Sequence, residues 1–257
     1  MPIKIKLRLQ NRAMKYFLGV NRFAPTQAVR GDMGWQTCQF RRKVNMIRLW
    51  NRLLSLDHNR LPKIVFNYEI NSPYRNWSYN LKQLFHSLEL EHIFESKSYC
   101  PIKLAENRLI KLENLEWAAE KANKPKLRTY SLIKTEFYPE QYVTQNLNKS
   151  QRSALAQIRM GILPLHIETG RYVNKPEEQR YCSFCLNYVE SEFHFICECD
   201  TYSCQRRNLY SKINLTCDYF KDLNDRQKFV YILQHNSKWV SEYITECMKI
   251  RSDLLYN

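Results

Sequence analysis

Residues 180–200 read Arg-Tyr-Cys-Ser-Phe-Cys-Leu-Asn-Tyr-Val-Glu-Ser-Glu-Phe-His-Phe-Ile-Cys-Glu-Cys-Asp, a stretch with no helical period and an unusual density of thiols. Cys182 and Cys185 are separated by two residues, eight residues follow, then come His194, four residues and Cys199. Three thiolates and an imidazole in two pairs suit tetrahedral Zn²⁺, which prefers sulfur and nitrogen ligands. The two-residue gap allows a turn that presents both sulfurs to one ion. Asn187-Tyr188-Val189 is expected to form the return strand of a small hairpin, and His194 and Cys199 to lie about a turn apart where the next helix starts. Spacing alone leaves Cys197 or Cys204 able to replace Cys199, and buried thiols or disulfides are the alternative to a metal. Because few apolar residues hold the segment, the ion is expected to supply ordering energy of roughly 10 kcal/mol or more. Four protein ligands leave no position for an activated water, so the expected role is one structural zinc. The deaminase pattern of His-x-Glu followed by Pro-Cys-x-x-Cys is absent.

Helical periods dominate on either side. Residues 4–18 mix apolar side chains with Lys4, Lys6, Arg8, Arg12 and Lys15, and Gly19 ends that helix. Gly31-Asp32-Met33-Gly34-Trp35 reads as a turn. From Gln39 to Leu56, Phe40, Val44, Ile47, Trp50, Leu53 and Leu54 recur at helical spacing, with Arg41, Arg42, Lys43, Arg48 and Arg52 over much of the remaining surface. Further helices are expected over 59–67, 77–88, 102–122, 149–160, 201–215, 225–235 and 239–255. Core positions expected on the 102–122 segment include Leu109, Leu112, Leu115 and Trp117. The expected fold is mainly α, with bundle-like helical segments and a small zinc-bound knuckle or β-hairpin inserted before the C-terminal helices. Two regions are expected: a basic helical one over 1–147 and a zinc-binding one with C-terminal helices over 148–257.

The 257 residues carry 40 Lys and Arg against 25 Asp and Glu, a net charge of +15, and the distribution is uneven. Residues 1–80 hold fifteen basic and three acidic side chains, whereas residues 151–257 hold fourteen and thirteen. Between Tyr181 and Gln205 there is no Lys or Arg, so the knuckle itself is acidic. Such a charge excess points to a polyanion, most plainly nucleic acid. A hydrophobic fraction of 44% argues against wholesale disorder. Five glycines, with no Gly-x-Gly-x-x-Gly or Walker-type sequence, argue against a phosphate loop. No run of roughly 20 apolar residues and no signal-peptide core is found, and nine cysteines leave one unpaired, so an intracellular location, nucleus or cytoplasm rather than secretion, is expected.

Several motifs together resemble a known family. Arg152-Ser153, Gly161-Ile162-Leu163-Pro164-Leu165 and Glu168-Thr169-Gly170-Arg171-Tyr172 lead into the knuckle, followed by Val189–Phe195, Cys199-Asp200-Thr201-Tyr202 and Arg206. This region is similar to the zinc-binding region that follows the polymerase of non-LTR (LINE-type) retrotransposon reverse transcriptases. Phe17-Leu18-Gly19-Val20, Gly31–Trp35 and Leu49-Trp50-Asn51-Arg52-Leu53 resemble the stretch between polymerase and knuckle in the same proteins. The resemblance implies Cys182, Cys185, His194 and Cys199 as ligands, with Cys197 and Cys204 outside the set. It also implies a part in holding template RNA and target DNA, in company with the polymerase portion of a longer retrotransposon protein.

The chain departs from that family where catalysis is concerned. It has no Asp-Asp pair among its seven aspartates and no endonuclease-like cluster, so it is not expected to polymerise or cut. The expected function is a non-catalytic, zinc-stabilised module binding RNA or DNA, without membrane or small-molecule partners. Arg41, Arg42, Lys43, Arg48 and Arg52, with Arg206 and Arg207 after the knuckle, are the expected contacts, and Trp35, Trp50, Tyr16 or Phe40 the expected stacking residues. The alternative is a structural or protein-interaction domain in which zinc only staples the fold.

Overall fold

The computed structural model describes residues 3–256, with the side chains of residues 3–6 outside the description, so Lys4 and Lys6 of the expected basic helix lie outside the described side chains. The chain is mainly α-helical: α1 Ile3–Leu18, α2 Thr26–Met33, α3 Cys38–Leu54, α4 Leu61–Ile70, α5 Trp77–Ser87, α6 Glu91–Glu95, α7 Ile102–Ala122, α8 Arg128–Ile133, α9 Gln141–Thr144, α10 Lys149–Arg159, α11 His166–Thr169, α12 Ser203–Asn214, α13 Asp225–Gln234 and α14 Ser237–Tyr256. Local chemistry fixes several of the starts. Thr37 Oγ1 accepts from the Phe40 amide ahead of α3, and Asn76 Oδ1 from the Tyr79 amide ahead of α5. Asn148 with Gln151, and Asn224 with Gln227, form reciprocal capping boxes on α10 and α13. Gly19, in the left-handed region at φ +67°, ends α1 where a Cβ would press on Ser153.

Two compact units emerge, and neither matches the expected division at 147/148. The first comprises residues 1–10 and 36–116; the second comprises 11–35 and 117–257. The expected boundary falls inside the second unit, because Tyr142 and Leu147 before it and Leu155 and Ile158 after it share one core. By unit the basic excess is nearly even, although along the chain it is concentrated in residues 1–80. Sixteen basic and eight acidic side chains belong to the first unit, twenty-four and seventeen to the second. Arg12, Lys15, Arg22 and Arg30 therefore fold with the C-terminal half.

The first unit is organised on Trp50, which is fully buried. Its ring meets Phe66 and Phe85 edge-on at 5.5 and 5.6 Å and stacks on Phe94 at 5.4 Å, and its Nε1 donates to Ser98 O at 3.0 Å. The neighbouring Asn51 pairs with the backbone of Cys100 in both directions. Leu109 is buried as expected, but Leu115 is exposed.

In the second unit α10 and α12 lie against α14. Gly31-Asp32-Met33 is the buried last turn of α2, and only Gly34 leaves the helix. The turn assignment fails because Gly31 serves close packing: a Cβ there would collide with Tyr130 and Trp117. Asp32 meets the guanidinium of Arg159 at 3.1 and 3.2 Å and accepts from Tyr142 at 2.6 Å. Arg159 also reaches Glu140 at 3.0 Å, and Glu140 pairs with Lys134 at 2.5 Å. Burial lowers the pKa of Arg159, but Asp32 and Glu140 outweigh it and hold the guanidinium above its ordinary value. Two cations and two carboxylates thus neutralise one another inside the core.

Candidate metal centre and basic surface

The knuckle is built by backbone geometry before any ion is considered. Cys182 N donates to Tyr188 O at 2.8 Å, and Tyr181 and Val189 form one antiparallel bridge, so the expected hairpin is reduced to a single rung. Leu186 N bonds Cys182 O at 3.0 Å, and Leu186 adopts a left-handed φ of +60° that closes the turn. His194 opens a π-helical turn, His194–Glu198, and Cys199 caps it, its amide donating to His194 O at 2.8 Å. The five-residue step of that turn brings their side chains to the same side.

Cys182, Cys185, His194 and Cys199 consequently place their ligand atoms within 4.8 Å of one another, a group that can hold a metal ion. The Cys199 sulfur lies 3.9 Å from that of Cys182 and 3.5 Å from that of Cys185. A tetrahedral thiolate site with metal–sulfur bonds of about 2.3 Å separates its sulfurs by about 3.8 Å, so the cluster fits an ion rather than a disulfide. His194 is buried, and among the described residues its Nε2 has no hydrogen-bond partner, while Nδ1 contacts Glu198 Oε2 at 3.2 Å. An orphaned imidazole nitrogen beside three sulfurs is what a ligand looks like without its ion, and the carboxylate on the other nitrogen fixes the tautomer. A hydrogen bond from Cys199 pulls the Cys182 thiol down to about 3, against burial. Cys197 stands apart, its sulfur 3.7 Å from Asp225 O and pushed up to about 12 by burial, and Cys204 is exposed. Geometry thus selects Cys199 from the alternatives the spacing left open.

The surrounding protein also orders the segment, so an ion is not its sole support. Phe195, Ile196, Cys199 and Tyr202 belong to the main core of the second unit. Tyr243 donates its hydroxyl to Phe195 O at 3.0 Å. Glu190 forms a bidentate pair with Arg251, and Glu192 takes Arg128 through both oxygens at 2.7 and 3.0 Å together with the Thr129 hydroxyl. Two of the knuckle's four acidic residues are therefore neutralised internally. The Glu168–Arg171 pair is long at 4.0 Å, because Lys126 is the closer partner of Glu168. His166 approaches Ser183 at 3.4 Å, but its Nδ1 is held by Tyr181 O and Glu190 is committed to Arg251, so the contact braces the hairpin.

The expected contact residues divide into two groups. Arg41, Arg42 and Arg52 on α3 are exposed, Lys43 is half-buried, and none of these makes an ion pair among the described residues. Arg48 also reaches solvent but pairs with Glu106 at 3.1 Å. Arg42 and Lys43 line a groove of about 430 Å³ between α3 and α5, with Trp77 and Asn80 on its far side. After the knuckle, Arg206 turns inward to Cys199 O and Glu198 O at 2.9 and 3.3 Å, while Arg207 is exposed. Of the expected stacking residues, Tyr16 and Trp35 are exposed, Phe40 is half-buried, and Trp50 is unavailable inside its core. No helix of the described residues is long and apolar enough to cross a membrane.

No protein-family model, no curated protein and no solved structure matches the chain.

Proposed function

We propose that this chain is a non-catalytic nucleic-acid-binding module stapled by one structural zinc ion, of the kind found behind the polymerase of LINE-type reverse transcriptases. The observation that carries the binding reading is the outer face of α3. Its sequence contains no acidic residue, and Arg41, Arg42 and Arg52 project from it without an ion-pair partner among the described residues. Guanidinium groups held on a rigid helix offer forked donors to phosphate oxygens, and the adjoining groove gives room for a backbone to enter.

Zinc is the ion best suited to three thiolates and an imidazole at these separations, since harder cations take oxygen ligands. Protein fills all four positions, which supports a structural role and leaves no place for an activated water. Native mass spectrometry is expected to find one zinc per chain, lost in Cys185→Ser.

The binding reading is tested by titrating labelled RNA and DNA across salt. With six to ten phosphate contacts, affinity falls by about 10³- to 10⁵-fold between 50 and 200 mM salt. Absence of binding at the lower salt, or a salt-insensitive constant, overturns it. Primer extension is expected to be blank. An upstream polymerase reading frame in the nucleotide sequence would support the retrotransposon origin.

One observation favours a second reading, a protein-interaction domain. Leu61, Ile64, Val65 and Tyr68 form an exposed apolar stripe along α4, opposite the buried Phe66 and Lys63. Such a stripe on a surface helix marks contact with another protein, and a blank nucleic-acid titration would favour it.

A further inference from the structure

A second surface, in the other unit, combines rings and cations. α1 ends in Tyr16 and Phe17, and the loop to α2 carries Phe23; Tyr16 is 77% exposed and Phe23 67%. Each ring has a cation beside it. The Lys149 ammonium lies 5.1 Å from the Tyr16 ring, the Arg152 guanidinium 4.4 Å from Phe17 and the Arg22 guanidinium 4.6 Å from Phe23. The backbone that presents them is pinned. Lys15 Nζ donates to Arg22 O at 2.8 Å, the Phe23 amide to Asn21 Oδ1 at 2.9 Å, Arg152 Nε to Phe17 O at 3.0 Å and the Ser153 hydroxyl to Gly19 O at 2.7 Å. Below them Met14 and Leu18 are fully buried, so the rings stand on fixed supports rather than on a loose loop.

Charge is as one-sided as the rings are exposed. Residues 11–31 and 141–167, which supply every member of this surface, contain no Asp or Glu. Large aromatic rings left in water are costly unless a partner covers them, and adjacent cations with no local acids specify an anionic partner. A duplex hides its base faces in the stack, whereas a single strand offers bases to stack and phosphates to pair at the same spacing.

We infer that the junction of α1 and α10 is a stacking platform for single-stranded nucleic acid, with Tyr16 and Phe23 receiving bases and Arg22 and Lys149 the neighbouring phosphates. This assignment rests on the nucleic-acid reading above and adds to it a site apart from α3.

The test uses the full chain with zinc, a labelled oligouridine of about 20 nucleotides and an RNA duplex of the same length. Tyr16→Ala with Phe23→Ala is expected to weaken oligouridine binding by at least about 10-fold, since each lost stack is worth about 5- to 150-fold. The duplex constant and the salt slope should stay as in the parent chain. Arg41→Gln with Arg42→Gln, by contrast, should flatten the slope for both probes. Unchanged oligouridine affinity in the aromatic pair, alongside weakening in the α3 pair, overturns the platform and leaves the proposed function standing. Equal losses on single strand and duplex also overturn it, because stacking on bases does not act on both. Failure of the parent chain to bind either probe at 50 mM salt overturns the proposed function and the platform together. A second measurement needs no variant: photocrosslinking with 4-thiouridine in the oligouridine should mark the peptides bearing Tyr16 or Phe23, and cross-links confined to other peptides overturn the assignment.

Discussion

Arg251, near the end of α14, grips Glu190 at the base of the knuckle through both guanidinium Nη groups, and the two side chains are almost fully buried. The pair couples the last helix to the return arm of the hairpin, since Glu190 also accepts from the His166 amide at 2.7 Å. Arg251→Met would leave the carboxylate buried beside the cysteine cluster with its cation gone. The expected loss is about 3–5 kcal/mol, read as a lowered denaturation midpoint. Glu190→Gln with Arg251→Met removes both charges and should recover a substantial part of that loss. A double variant as unstable as the single one would show that the charge pair is not what holds the joint.

Metal removal should act locally rather than globally. Residues 182–189 have one bridge and one tight turn of their own, whereas Phe195, Ile196 and Tyr202 are held in the main core. Chelation is therefore expected to raise amide exchange across 182–189 while the amides of α10 and α14 stay protected. Loss of protection throughout the second unit would mean that the ion supports far more than its own hairpin.

Among the described residues Glu198 has no ionisable side-chain partner other than His194, 3.2 Å from Nδ1, and its own side chain is partly exposed. Its contact is with Nδ1, which leaves Nε2 as the nitrogen for an ion. Glu198→Gln can still accept at that distance, whereas Glu198→Ala cannot. The alanine variant should bind zinc about 10- to 100-fold more weakly in a chelator competition, with glutamine in between. Equal affinities in all three chains would remove Glu198 from any role in the site.

What the sequence made legible was periodic or local. Repeats of three and four residues place α3 and α7 to within a residue or two. Cys182, Cys185 and His194 were legible for the same reason, as short spacings, whereas Cys199 stood level with Cys197 and Cys204 until the fold brought its sulfur to the other two. Hidden features were those that join distant positions. Asp32 looks like a turn residue until Arg159, 127 positions away, is found to neutralise it. Glu190 and Glu192 look like surface acidity until Arg251 and Arg128 arrive from separate helices. Arg152 and Ser153 likewise look like surface residues until they bind the carbonyls of Phe17 and Gly19 and join two segments far apart in the chain.

Trp50 tests which face of α3 would carry the proposed nucleic-acid binding. It is fully buried against Phe66, Phe85 and Phe94, with its indole nitrogen bonded to Ser98 O. Trp50→Ala should destabilise the first unit by about 3–5 kcal/mol, a cavity cost visible as an early unfolding step in a denaturant titration. Trp50→Phe keeps most of the ring contacts and gives up the hydrogen bond, for a smaller loss. Because the indole cannot reach a ligand, Trp50→Phe should bind RNA as the parent chain does wherever the unit remains folded. A folded Trp50→Phe protein with much weaker RNA affinity would place the tryptophan at the interface, and the exposed arginines of α3 would then no longer account for recognition by themselves.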